Sequence, residues 1–144
     1  MPSDFLDTNV LIYAYDTTDI KKHRQARDLI EGNMARLTLS PQVLAEFSVF
    51  MLHKKTPRAR PAQMERALQA FAPMHLVTPD PIMVARAAEA HAAYGVHFYD
   101  GMIIAAAERA GCTRIWTENL NPGQSYFGVR VENPFQLEAR RSRS

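Results

Sequence analysis

The sequence predicts an α/β fold in which a parallel sheet is covered by helices on both faces. Two observations carry this. Short apolar segments alternate with longer stretches of helical periodicity along the whole chain, and that alternation builds parallel sheets joined by crossover helices. Twice a capping residue is followed at once by proline, at Ser40-Pro41 and Asp80-Pro81, which marks a helix starting sharply. Right-handed crossovers then gather the strand C-termini on one edge, and that edge is where ligands bind in open α/β sheets.

Taken in order, residues 5–7 read as a short buried strand and 10–15 as a helix. Asp7-Thr8-Asn9 lies at the handover between them. A second helix over 21–31 is closed by Gly32-Asn33 as a C-cap. Leu37-Thr38-Leu39 alternates and reads as a strand. Ser40 is the expected N-cap and Pro41 the first position of a helix running to about His53, broken by Thr56-Pro57. A helix over 61–71, a strand over 75–78 and a long Ala-rich helix over 81–94 follow, the last stopped by Gly95. Asp100 opens a helix over 102–110 that ends at Gly111. Residues 114–117 form a strand containing Trp116, Asn121-Pro122-Gly123 is a turn, and 128–132 is the last strand.

At 144 residues the chain is one domain, and 47% hydrophobic content supplies its core. A single cysteine, Cys112, excludes an internal disulfide, so no oxidising compartment is needed. No apolar run approaches the roughly 20 residues that span a membrane, and no basic segment precedes the first apolar stretch, so no signal peptide is expected and a cytoplasmic protein is the default. The net charge of +2 depends on Arg140, Arg141 and Arg143; without them 14 basic residues face 15 acidic ones. We divide the chain into a domain over 1–139 and a basic tail over 140–144. Overall charge therefore says little about nucleic acid, and local clusters say more. Lys54, Lys55, Arg58 and Arg60 form one such cluster, either a solvated face or an RNA contact.

Three acids stand in suggestive settings. Asp7 or Thr8 suits the N-cap of the first helix, and Asp100 suits the N-cap of its own, so each has a purely structural reading. Glu46 falls at the edge of a helix face bearing Val43, Phe47 and Phe50, where a carboxylate is costly unless it is paired or ligates a metal. Converging carboxylates repel without a cation. Bound Mg²⁺ or Mn²⁺ removes that conflict, activates water and engages phosphates, which fits phosphodiester hydrolysis. The five histidines lack ligand spacing as a group, and no Gly-rich phosphate loop is present.

Four segments, in order, carry a family resemblance. Phe5-Leu6-Asp7-Thr8-Asn9-Val10-Leu11-Ile12-Tyr13 resembles the opening motif of PIN-domain ribonucleases. Leu39-Ser40-Pro41 through Glu46-Phe47 is similar to the second motif, Tyr99-Asp100-Gly101-Met102-Ile103-Ile104 to the third, and Trp116-Thr117-Glu118-Asn119-Leu120 to the fourth. The length resembles the VapC toxin branch, in which a PIN domain stands alone beside a small antitoxin. The resemblance implies a three-layer α/β/α fold with a central parallel sheet. It implies Mg²⁺- or Mn²⁺-dependent endoribonuclease activity, with Asp7, Glu46 and Asp100 as metal-binding acids and Thr8, Asn9, Thr117 and Asn119 in support. It also implies an RNA substrate, a cognate antitoxin and a homodimer. The fourth motif departs from the family: Asn119 stands where an aspartate is common, and the side chain of neighbouring Glu118 is expected to point elsewhere. Two rival readings are a non-catalytic RNA-binding PIN domain and a phosphotransfer domain with Asp7 as nucleophile.

Overall fold

A computed structural model describes residues 4–136; the basic tail over 140–144 lies outside the described residues, as does the end of the predicted domain. The elements are β1 (Asp4–Leu6), α1 (Thr8–Tyr13), α2 (Ile20–Ile30), β2 (Leu37–Leu39), α3 (Pro41–Val49), α4 (Pro61–Ala70), β3 (His75–Leu76), α5 (Pro81–Tyr94), α6 (Phe98–Arg109), β4 (Arg114–Trp116), β5 (Ser125–Tyr126) and β6 (Val129–Glu132). The six strands form one sheet in the order β3-β2-β1-β4-β6-β5. All pairs are parallel except β5 with β6. The helices pack in two groups, α1 with α2 and α3, and α5 with α6. With the sheet between them this is the three-layer arrangement the sequence predicts. No helix among the described residues is long and apolar enough to cross a membrane.

β1 sits at the centre, pairing with β2 on one side and β4 on the other. Strand order reverses direction there, and a crevice opens beyond the C-terminus of β1. β1 is buried over its whole length, with Phe5 and Leu6 fully enclosed. Phe47, Phe71 and Tyr15 lock α3 to the end of α4 through mutual edge-on ring contacts at 5.1–5.9 Å.

Small side chains let α5 and α6 lie unusually close. Gly101 of α6 faces the backbone of Ala87, and a Cβ there would stand 2.5 Å from the Ala87 carbonyl oxygen. α5 begins at the Asp80 side chain, which accepts from the Met83 N–H, and ends at Gly95 in the left-handed region. Both ends were legible from the sequence.

Several expectations need correction. α6 starts four residues before the predicted 102, because the His97 ring accepts from the Tyr99 N–H and acts as the cap; Asp100 lies inside the first turn and caps nothing. Asp7, by contrast, is the N-cap of α1, so that helix begins at Thr8 and not at Val10. Ser40 occupies the N-cap position of α3 without capping through its hydroxyl, which is buried and unpartnered. The helix predicted through His53 leaves α geometry at Phe50 and continues as a π-helical turn, Phe50–Lys54.

The edge hairpin β5–β6 was not expected, since the turn is Phe127-Gly128 and carries no Asn or Asp signal. Both residues have positive φ. Phe127 tolerates this because its N–H donates to the Tyr94 hydroxyl and the Arg86 guanidinium lies 3.5 Å over its ring.

Candidate active site

Asp7, Thr8, Asn9, Glu46, Lys54, Asp100 and Asn119 line one cavity of about 360 Å³ beyond the end of β1. Ile12, Val49, Phe50 and Ile103 give it an apolar floor, and Gln42 and Tyr99 complete the wall. Each acid arrives on a different element. Asp7 comes from the β1–α1 junction, Glu46 from the middle of α3 and Asp100 from the first turn of α6.

Asp7 is the most constrained. Its Oδ1 accepts from the Thr8 N–H at 2.7 Å, and its Oδ2 accepts from the Thr117 hydroxyl at 2.8 Å and the Asn9 amide at 3.3 Å. Its own N–H donates to the Trp116 carbonyl, extending the β1–β4 ladder by one residue. Thr117 is fully buried behind it and also receives the Asn119 N–H at 3.1 Å. Asn9 closes the loop, its carbonyl oxygen accepting from the Glu118 N–H. The first and fourth motifs are thus one hydrogen-bonded unit.

Burial pushes the Asp7 carboxyl up from 3.8 to about 6, against the lowering effect of the Thr117 and Thr8 bonds, and the charges of Asp100 and Glu46 add to the rise. Asp100 is also raised, first by burial and then by Glu46, with His97 opposing. A cavity that raises its own acids disfavours their anionic forms and gains from a cation.

Glu46 differs from expectation. It is solvent-exposed, so the argument from costly burial does not apply. Its partners are the Thr8 hydroxyl at 3.0 Å and the Gln42 amide at 2.8 Å, not an Arg or Lys. Glu118 does point away from the cavity, bonding to the Tyr13 hydroxyl at 2.9 Å and to Lys22 at 3.0 Å.

The basic cluster divides. Lys54 lines the acidic cavity, while Lys55 lines a separate one with Tyr15, Gln63 and Arg66. Arg58 and Arg60 are exposed and line neither. The π-helical turn explains the division. The Lys55 N–H bonds to the Phe50 carbonyl at 2.8 Å, five residues back. A turn closed in that way advances about 80° per residue against about 100° in an α-helix, so four residues of it swing a side chain by about 80°. That swing returns Lys54 to the azimuth of Glu46; an unbroken α-helix would leave it about 80° away.

Sequence reasoning missed Gln42 and Tyr99. Gln42 carried a signal, its i,i+4 spacing from Glu46. Tyr99 carried only adjacency to Asp100.

The donor set is hard and oxygen-rich, suited to Mg²⁺ or Mn²⁺. Among the described residues no group of three or more His, Cys, Asp and Glu side chains is arranged to hold a metal ion.

Comparison with known proteins agrees with the fold. The profile of the PIN domain family matches residues 5–122. No curated protein matches the chain. Among solved structures, a toxin–antitoxin complex from Klebsiella pneumoniae superposes with a TM-score of 0.68 at 20% identity, covering 92% of this chain and 98% of that one. A DNA-bound VapBC from Salmonella typhimurium gives 0.66 at 23%, covering 93% and 99%. Mycobacterium tuberculosis VapC20, described as a sarcin-ricin loop cleaving toxin, gives 0.65 at 17%, covering 89% and 99%.

Proposed function

Because the chain belongs to the PIN domain family, we propose that it is a Mg²⁺- or Mn²⁺-dependent endoribonuclease and the toxin of a toxin–antitoxin pair. The observation that carries this reading is the single cavity that Asp7, Glu46, Asp100 and Lys54 all line. Asp7, Glu46 and Asp100 would hold the ion, with Asn119 offering a carbonyl. When bound, the ion supplies charge neutralisation at the phosphate and lowers the pKa of a coordinated water.

The chain's own residues do the rest. Thr117 and Asn9 fix the Asp7 carboxylate, and Thr8 and Gln42 fix Glu46. Lys54 brings positive charge to the rim, where it can meet a phosphate oxygen as a point charge. The buried unit of Asp7 and Thr117 arranges its acceptors before substrate arrives, so little reorganisation is required during reaction.

The toxin reading draws on the structural neighbours, of which one is a toxin–antitoxin complex and another a VapBC bound to DNA. A partner protein that covers the cavity would silence it, and an arginine from that partner could pair with the carboxylates. A homodimer and a cytoplasmic setting belong to the same proposal.

The test is incubation of the purified protein with total RNA in Mg²⁺, Mn²⁺ or EDTA, followed by mapping of new ends. Cleavage that requires the metal and disappears in Asp100→Asn is expected. RNA that stays intact with both metals overturns the activity. Harmless expression of the lone chain, with no partner retained when the neighbouring reading frame is supplied, overturns the toxin pairing.

A further inference from the structure

At the mouth of the cavity stands an aromatic ring whose position is fixed on several sides. Tyr99 is 60% exposed and lines the same cavity as the three carboxylates. A single exposed aromatic is ordinary on a protein surface. This one is held in place at both ends of its backbone. Its N–H donates to His97 Nδ1 at 3.2 Å, and its carbonyl accepts from Gln42 at 3.3 Å. Gln42 is also the residue that holds Glu46. The ring lies on the His97 imidazole at 5.8 Å with planes 24° apart, and meets Phe98 edge-on at 5.5 Å. One side of the ring is backed, much of the rest is open, and its distance from the acids is set by the first turn of α6.

Carboxylates and a lysine can recognise a phosphodiester, but neither engages a base. In an unpaired RNA strand the nucleotides flanking a phosphate carry bases that stack readily on aromatic side chains. We infer that Tyr99 is a stacking platform for the nucleobase beside the scissile phosphate. The inference rests on the endoribonuclease reading and adds to it a residue that binds substrate without touching the phosphate. Every base has a π-face, so the platform contributes affinity and strand placement more than base identity.

The test uses a single-stranded oligoribonucleotide whose cut has been mapped, together with copies lacking the base at one nucleotide on either side of the cut. Wild type, Tyr99→Ala, Tyr99→Phe and Asp100→Asn are compared in Mg²⁺. Tyr99→Ala is expected to raise KM about 5- to 150-fold, the range that loss of one stacked base produces, with kcat nearly unchanged. Tyr99→Phe keeps the ring and the wild-type KM. Removing the stacked base raises KM of the wild type by a similar factor and adds nothing to Tyr99→Ala.

The platform is overturned if Tyr99→Ala matches wild type, if Tyr99→Phe is as impaired as Tyr99→Ala, or if base and ring losses multiply at every position. The abasic arm is read on unaltered protein, so it stands even if a variant folds poorly. Failure of wild type to cut, or cutting by Asp100→Asn at the wild-type rate, removes the endoribonuclease reading itself. Failure in the Tyr99 arms alone leaves that reading in place.

Discussion

Asp7 links stability to pH in a direction unusual for an acid. Its folded value is about 6 against 3.8 in the free chain. Between those values the folded protein holds the proton more tightly. This contribution to metal-free stability is therefore complete below about pH 4 and lost as pH rises through about 6, amounting to about 3 kcal/mol. Asp80, held down to about 2 by Arg109, acts with the opposite sign at lower pH. The informative quantity is thus the difference between wild type and Asp7→Asn in thermal melts with EDTA from pH 4 to 8: the variant should gain relative stability as pH rises. Asn119→Asp returns an acid to the cavity. It should strengthen Mg²⁺ binding and raise cleavage at low Mg²⁺ while lowering metal-free stability, read by a Mg²⁺ titration of rate and melting temperature. An unchanged Mg²⁺ dependence would put position 119 outside the metal's surroundings. Asp100→Asn should abolish cleavage and shift stability by less than about 1 kcal/mol, since His97 provides the cap and the carboxylate adds only a first-turn charge. The positions of Asp7 and Asp100 near element starts were legible because polar residues interrupt apolar runs there. The exposure of Glu46 was not, because helix periodicity gives a direction without saying whether a neighbouring element fills it.

At the scale of elements, the contact between α5 and α6 is the least forgiving. Gly101→Ala would set a methyl against the Ala87 carbonyl oxygen, with no flexible side chain to yield. Separating the helices should cost about 1–3 kcal/mol, visible in denaturant melts, and should lower activity through displacement of Asp100. The π-helical turn makes a second, sharper prediction. Lys54→Ala should weaken RNA binding and reduce its salt dependence by about one unit of slope, whereas Lys55→Ala should leave both close to wild type. Equal effects would mean the turn does not sort the two lysines. The starts of the helices at Pro41 and Pro81 were read correctly because a proline at the first position acts within a few residues, although only Asp80 caps through its side chain. The π-helical turn and the Phe127-Gly128 hairpin were not, because tertiary partners such as Tyr94 and Arg86 stabilise backbone that the local sequence does not request.

For the whole molecule, alternation alone was enough to predict the layers, and the right-handed crossover rule was enough to predict the edge where the acids gather. Strand order was beyond reach, since β1 pairs with strands far apart in the chain. That order has a consequence in time. Asp7 is made well before the group that holds its carboxylate, the hydroxyl of Thr117, 110 positions later. Asp100 and the β4 strand are likewise late. A product released between residues 46 and 100 therefore contains two of the three acids, and one released between residues 100 and 117 contains all three, in each case without the Thr117 hydroxyl that aligns Asp7. On the endoribonuclease proposal, cutting power therefore arrives only once Thr117 has been made, rather than growing as each acid is added.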